Sequence, residues 1–460
     1  MNKETEYQTP ITMAVDIGGS KYVVGFVDNT GNVLYQERRE WKALDEDAIV
    51  EQLKVALHDI YKSQPKLAKQ TKVGGVTIPG FADPVSGVWV ESDFLPVKNL
   101  PLCKILSNEF KIPFFAENDC NACALAERYF GEAKSQDKFL YLTVSTGIGG
   151  ALFLNNELYY GGFWHAGEIG LFVVEEYGRA SDNGSVNGVV EMYASGRGFA
   201  RNFMKAIDPD KTYERVPGGS EISLLAKQGN KYALQTLELE GRYLGRVIAN
   251  ACTIIDFKKV ILGGGISLLF DQYKDTLSAE FNRILPKKEI EIEATKLGYL
   301  GAFLGAAAVA QRGLQGFVES QGAGKPEEVV FHVTVSDHIE ALLELGNRNI
   351  NREAADFGKF LAAKTIEDYG LTLEKLITSQ NIYELENRSK KGDEEADRVL
   401  TFLGNQIGKG IACACILLDP GKVVLEGACT SCQAFQDSIL ETVKRETYYR
   451  GNLPFTILYL

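Results

Sequence analysis

Residues 13–21 (MAVDIGGSK) set an Asp, two glycines, a hydroxyl and a lysine directly after a mostly apolar run. The run reads as a buried strand. The glycines read as a tight turn whose bare backbone N–H groups can point into one anion-binding concavity. Residues 22–28 (YVVGFVD) are strand-like again, so the turn closes a hairpin. In a Walker loop or a dinucleotide fingerprint the glycines open a helix instead. The same logic returns at residues 139–153 (FLYLTVSTGIGGALF), where a strand meets a turn of hydroxyls and glycines and another strand follows. A single Gly-Gly hairpin can be only a turn. Two such turns in one chain point to two related lobes gripping one polyphosphate.

The elements that must carry these turns follow from pattern. Residues 11–38 read as three strands, 46–63 as an amphipathic helix and 72–79 as a strand. A helix at 102–110, a short strand at 114–117 and a helix at 119–130 complete a βββαβα order, which suits a mixed sheet with helices on its faces. At 460 residues the chain exceeds one core, so two or three domains are expected. A net charge of −12 with no basic block argues against nucleic acid as the main partner. No apolar segment reads as a leader or as long enough to span a bilayer, so no membrane partner and a cytoplasmic location are expected. The cysteines at 103, 120, 123, 252, 413, 415, 429 and 432 include two C-x-x-C spacings, but no His lies near either pair. They read as reduced thiols packed in cores.

An internal repeat stands out. Residues 241–265 align without gaps on residues 404–428, with 11 of 25 positions identical, including Gly245/Gly408, Cys252/Cys415 and Asp256/Asp419. Unrelated helix-strand units share pattern but seldom identities in register. The second copy is read as having neither a phosphate hairpin nor a counterpart of Asn118 and Asp119. Its glycine triplet has become Glu426-Gly427-Ala428, which sets a carboxylate where a nucleoside would approach.

Further motifs stand in order: TIPGF at 77–81, ENDCNA at 117–122, STGIGG at 145–150, GEIG at 167–170, EMYASG at 191–196 and LGGGI at 262–266. Across about residues 11–312 their order and spacing resemble the ROK family of sugar kinases and repressors. The resemblance implies an α/β fold, the actin-like ATPase (ribonuclease H-like) two-lobed sugar kinase fold, here with an extra α/β C-terminal repeat. The expected division is an N-terminal lobe at 1–120, a C-terminal lobe at 121–314, a linker at 315–328 and a degenerate duplicate of the C-terminal lobe at 329–460.

By the same resemblance Asp119 is the catalytic base, since a sugar hydroxyl needs a carboxylate to take its proton as the γ-phosphoryl moves. Read alone, Asp119 could simply cap a helix. Asn118, Glu168 and Glu191 fall at sugar-hydroxyl positions, and Gly80, Ser92 and Asp93 lie in the sugar loop. Gly18, Gly19, Ser20 and Lys21, with Ser145, Thr146 and Gly147, would line the phosphates of ATP. Asp16 would hold Mg²⁺ through water. Gly264 and Gly265 would let adenosine approach the backbone.

Departures from the family pattern bear on substrate and metal. The family's zinc-binding His falls on Leu171, and its three Cys positions fall on Asp182, Gly184 and Val189. No zinc is therefore expected there. The missing His also removes a sugar contact, for which His165 is the candidate substitute. Asp93 stands for the usual Asn and Val97 for the usual Trp, which leaves the sugar open.

Three functions compete: an ATP-dependent hexose kinase, a ROK-type repressor, and a catalytically silent sugar-binding sensor or scaffold. Only about a dozen residues precede the first strand, too few for the helix-turn-helix domain of a repressor. Retention of Asp16, Asp119 and both phosphate turns favours the kinase over the sensor. The C-terminal copy is expected to act as a built-in pseudo-subunit, giving a monomer with an internal pseudo-dimer whose interface is intramolecular.

Overall fold

Strands Ile11–Ile17 (β1) and Thr71–Ile78 (β4) are buried along almost their whole length, as strands covered by helices on both sides must be. In the computed structural model they form the middle of a five-stranded sheet. Lys21–Val27 (β2), Val33–Glu40 (β3) and Phe114–Asn118 (β8) complete the order β3-β2-β1-β4-β8. β1 runs antiparallel to β2 and parallel to β4. The structure describes residues 10–92, 94–182, 186–208, 216–316, 329–336, 339–345, 348–349, 355–356, 382–449 and 453–460. Asp93, Gly184 and the linker residues 317–328 lie outside them.

Contacts divide the chain into two units, residues 1–137 with 295–325, and 138–294 with 326–460. In the first unit, helix Glu46–Ser63 (α1) buries Ile49, Leu53, Ala56, Leu57 and Ile60 into the core of the sheet. Asp45 caps its start by accepting the Ala48 N–H. Pro65–Gln70 (α2) leads into β4, and Leu102–Phe110 (α3) leads into β8. Asp119–Tyr129 (α4) and Gly301–Leu314 (α10) pack on each other and on β4.

α10 is rich in Gly and Ala, which lets it lie close to the sheet. A Cβ at Gly75 of β4 would stand 1.8 Å from the Ala306 carbonyl oxygen. Residues 121–137 and 301–314 thus belong with the first sheet, whereas the sequence boundaries at 120 and 314 assign them to the second lobe. Phe81–Asp83 (β5), Val88–Glu91 (β6) and Lys98–Leu100 (β7) form a small antiparallel sheet bearing the loop expected to meet the sugar.

The second unit contains two sheets. Phe139–Val144 (β9), Ile148–Leu154 (β10), Glu157–Tyr159 (β11), Lys259–Gly263 (β12) and Glu291–Ala294 (β13) give the order β11-β10-β9-β12-β13. Val329–Val335 (β14), Ile339–Leu345 (β15), Arg348–Asn349 (β16), Lys422–Gly427 (β18) and Thr456–Tyr459 (β19) give β16-β15-β14-β18-β19, and Ala355–Asp356 (β17) pairs with β15. Order and register correspond. Ile148 faces Val144 as Ile339 faces Val335, and Leu262 faces Leu142 as Leu425 faces Val333.

Helix Lys231–Ile254 (α8) packs on Phe270–Ile284 (α9), as helix Glu394–Leu418 packs on helix Gln433–Glu446. Strands β14 and β15 pair as a hairpin at the position equivalent to β9–β10; the sequence reading expects no phosphate hairpin in this segment, and no glycine stands between the two strands. In the sequence, Ser336-Asp337-His338 stands where Ser145-Thr146-Gly147 stands in the first sheet's segment, and residues 337–338 lie outside the described residues. The apolar pattern of the strands and the length of their connection together set such a register.

Among the described residues one helix, Glu394–Leu418, has the length and apolar composition to cross a membrane. Most of it is buried in the core that holds residues of both sheets of the second unit. Burial pushes the thiols of Cys103, Cys252 and Cys429 up to about 12, which leaves them packed and unreactive.

Candidate functional site

Parallel pairing sets Asp16 of β1 beside Thr77 of β4, and the Asp16 Oδ1 accepts the Thr77 hydroxyl at 2.7 Å. The turn that follows is closed by the Gly18 N–H, which donates to the Lys21 carbonyl at 2.9 Å. The Trp41 indole N–H donates to the Gly18 carbonyl at 2.9 Å and braces the turn from outside. Gly19, Ser20 and Lys21 are exposed, so their donors are open to a ligand.

At the end of β8, the helix cap is Asn118. Its Oδ1 accepts the N–H groups of Cys120 and Asn121 at 2.9 and 3.2 Å, and its Nδ2 donates to the Gly80 carbonyl at 2.9 Å. Asp119 is thereby released from the capping role that it could have had when read alone. It begins α4 half-buried, its Oδ1 accepting the Cys120 N–H at 2.8 Å. Burial first, and the charge of Asp16 second, push its carboxyl up to about 6. Burial also raises Asp16, against the Thr77 hydrogen bond and the Lys21 charge.

A carboxylate poised near neutrality can take a proton at physiological pH, and its acidic neighbour has the oxygen donors that a hard divalent cation requires. Asp16 therefore fits a Mg²⁺ held through water. Buried Glu117 steadies the group from behind. Its Oε1 accepts the Asn118 N–H at 2.9 Å and the Asn121 amide at 3.2 Å, and its Oε2 faces Arg312 at 3.4 Å. Thr77 and Glu117 are roles that the sequence reading does not assign, although both sit inside its motifs.

Gly80 has φ +103°, and a Cβ there would stand 2.4 Å from the Glu91 carbonyl oxygen. This contact ties Asn118 to the sugar loop, where Ser92 Oγ accepts the Phe94 N–H at 3.2 Å. Asp93 of that loop lies outside the described residues. Val97 is buried there.

In the second unit, Ser145 and Thr146 are exposed at the β9–β10 turn, and the Ser145 N–H donates to the Gly147 carbonyl at 2.9 Å. Glu191 lies against this turn. Its Oε2 accepts the Ile148 N–H at 2.8 Å, and a Cβ on Gly147 would fall 2.5 Å from that oxygen. One oxygen of this expected sugar ligand is thus committed to the phosphate turn. Glu168 is half-buried and opens the short turn Ile169–Leu171.

Gly264 has φ +81° and backs onto Val144, while Gly265 faces open space. The His165 N–H donates to Asp419 Oδ2 at 3.0 Å, and its ring lies 6.5 Å from that of Tyr448. At the expected zinc positions, Leu171 packs against the core, Val189 is buried, and Asp182 lies near Arg197 and Arg201.

The ROK family model matches residues 12–313. The xylose repressor of Caldicellulosiruptor bescii is 26% identical over 321 residues, covering 67% of this chain and 79% of its own length. The glucokinase of Thermotoga maritima is 29% identical over 325 residues, covering 66% of this chain and 98% of its own. Among solved structures, a ROK family glucokinase from Streptomyces griseus in complex with glucose and AMPPNP superposes with a TM-score of 0.57. It is 27% identical, and the match covers 66% of this chain and 99% of that one. The family match ends ahead of β14.

Proposed function

The chain belongs to the ROK family and has the actin-like fold of its sugar kinases, and from that premise we propose that it phosphorylates a hexose or related sugar with ATP. The observation that carries this reading is Asp119, a half-buried carboxylate raised to about 6 beside Asp16 and the first phosphate turn. Asp119 takes the proton of the sugar hydroxyl as that oxygen bonds to the γ-phosphorus, and the bond to ADP breaks. Gly18, Gly19, Ser20, Lys21, Ser145, Thr146 and Gly147 hold phosphate oxygens through their N–H, hydroxyl and ammonium donors. Mg²⁺ at Asp16 supplies charge neutralisation for the triphosphate when bound. Asn118, Glu168 and the free oxygen of Glu191 orient the sugar, while Gly264 and Gly265 admit the nucleoside.

In the same reading, residues 329–460 are a degenerate duplicate of the nucleotide-side lobe. Its support is the 11 identities in 25 positions and the matching register of the two sheets.

The test is sugar-dependent ADP release from Mg·ATP across glucose, mannose, fructose, allose, N-acetylglucosamine and N-acetylmannosamine. Turnover is expected on at least one, reduced roughly 10²–10⁴-fold by Asp119→Asn. The second reading, a silent sugar sensor, has in its favour the repressor among the relatives and the altered sugar loop. Sugars that raise the melting temperature while none is turned over would establish it instead.

A further inference from the structure

We propose that Asp419, in the C-terminal segment, is a positioning residue that holds the loop leading into Glu168 in its ligand-presenting shape. The inference rests on the sugar-kinase reading for the role of Glu168. Asp419 follows helix Glu394–Leu418 in a left-handed conformation, φ +46°, and is fully buried. Its Oδ2 accepts the N–H groups of Phe163 and His165 at 2.6 and 3.0 Å, and its carbonyl accepts the Gly162 N–H at 2.6 Å. Leu418 O accepts the Tyr159 hydroxyl at 2.6 Å, and Leu417 O accepts the Gly167 N–H at 2.9 Å.

Donors from five residues between Tyr159 and Gly167 therefore end on three consecutive residues, and Glu168 is the next residue in the chain. On its other oxygen Asp419 accepts the Tyr449 hydroxyl at 3.1 Å, and Tyr449 is in turn bonded to Tyr448 at 3.1 Å. Beyond Glu168, Lys409 of the same helix reaches Glu176 at 2.6 Å. The segment thus grips the loop on both sides of the sugar ligand.

Such a grip is needed. The loop contains Gly161, Gly162 and Gly167, and holds Trp164 at φ +69°, its ring tilted against that of Tyr160 at 4.7 Å between centroids. Left unbraced, these residues would have to be ordered when sugar binds, and the clamp removes that cost beforehand. A buried carboxylate is tolerated because its lone pairs are filled by those donors. The aligned Asp256 of the first copy does different work, bonding Lys288 at 2.6 Å from a half-buried position. Position alone therefore does not dictate the clamp.

The experiment compares the full chain with Asp419→Asn, which keeps the shape but turns an amide donor or a weaker acceptor toward two N–H groups. Tyr449→Phe serves as a gentler second variant. Asp419→Asn is expected to raise the KM for sugar roughly tenfold with the KM for ATP little changed. Amide exchange in residues 161–168 should quicken by a similar factor while β1 and β4 stay protected. Tyr449→Phe should move the same readouts in the same direction by less. Equal changes in both KM values, or unchanged exchange at 161–168 in a folded variant, would overturn the clamp. If the parent chain binds and turns over no sugar, the kinase reading fails, and the exchange pattern still decides whether Asp419 holds the loop.

Discussion

As the proposed base, Asp119 would have two opposed effects, and pH separates them. As a base it must be ionised, so kcat/KM is expected to rise as pH climbs through about 6 and to level off above it, read from a pH–rate profile on the accepted sugar. For folding the sign reverses. The unfolded chain gives up this proton near the ordinary 3.8, while the folded chain keeps it to about 6. Stability therefore falls as pH rises between these values and stays lowered above them. Asp119→Asn should melt at a higher temperature than the parent at pH 7.5, with the gap closing toward pH 4, by calorimetry. Asp119 was legible because it stands inside a run of motif residues. Its setting was not. Thr77 reaches Asp16 across 61 positions of sequence and Arg312 reaches Glu117 across 195, pairings that only the sheet and α10 create.

At the scale of elements, the contact between α10 and β4 depends on Gly75. Gly75→Ala places a methyl group against backbone, which the helix can relieve only by lifting off the sheet. It should destabilise the chain by about 1–3 kcal/mol, measured by urea unfolding. The apolar, small-residue character of residues 301–314 is visible in the sequence, which places them only within the second lobe. Which sheet they cover is not visible there, because a helix apolar on most of its faces carries no mark of its partner. The hairpin β14–β15 carries no mark in the sequence for a related reason. Val335, Ser336 and Ile339 repeat Val144, Ser145 and Ile148, but the glycines that draw the eye to the first copy are absent from the second. The pairing of strands survives in alternation, which leaves few identities to find.

At the scale of the whole molecule, the two sheets of the second unit share one apolar core. This core draws on residues from Leu140 to Leu285 and again from Val329 to Phe455. Cutting the chain after residue 328 would bare that surface, and the shortened protein is expected to aggregate rather than to persist as a minimal kinase. Size-exclusion chromatography with light scattering is the check. The same measurement on the full chain is expected to return the mass of one chain, 50.7 kDa, if the C-terminal copy stands in for a partner subunit. The 11 shared positions that support the proposed duplication were legible in the sequence. The hold of residues 417–419 on the loop before Glu168 was not, since neither partner carries a signature and the contact spans more than 250 residues.

The chain has three tryptophans, and their settings differ. Trp89 is sealed in the first core. The Trp41 indole N–H donates to the Gly18 carbonyl in the turn proposed to hold phosphate, and Trp164 lies tilted against Tyr160 in the loop bonded to Asp419. One fluorophore therefore touches the turn proposed for nucleotide, and another lies in the loop that leads to Glu168, the proposed sugar residue. Single-tryptophan forms of the protein would let nucleotide and sugar arrival be timed separately by emission, with no dye attached.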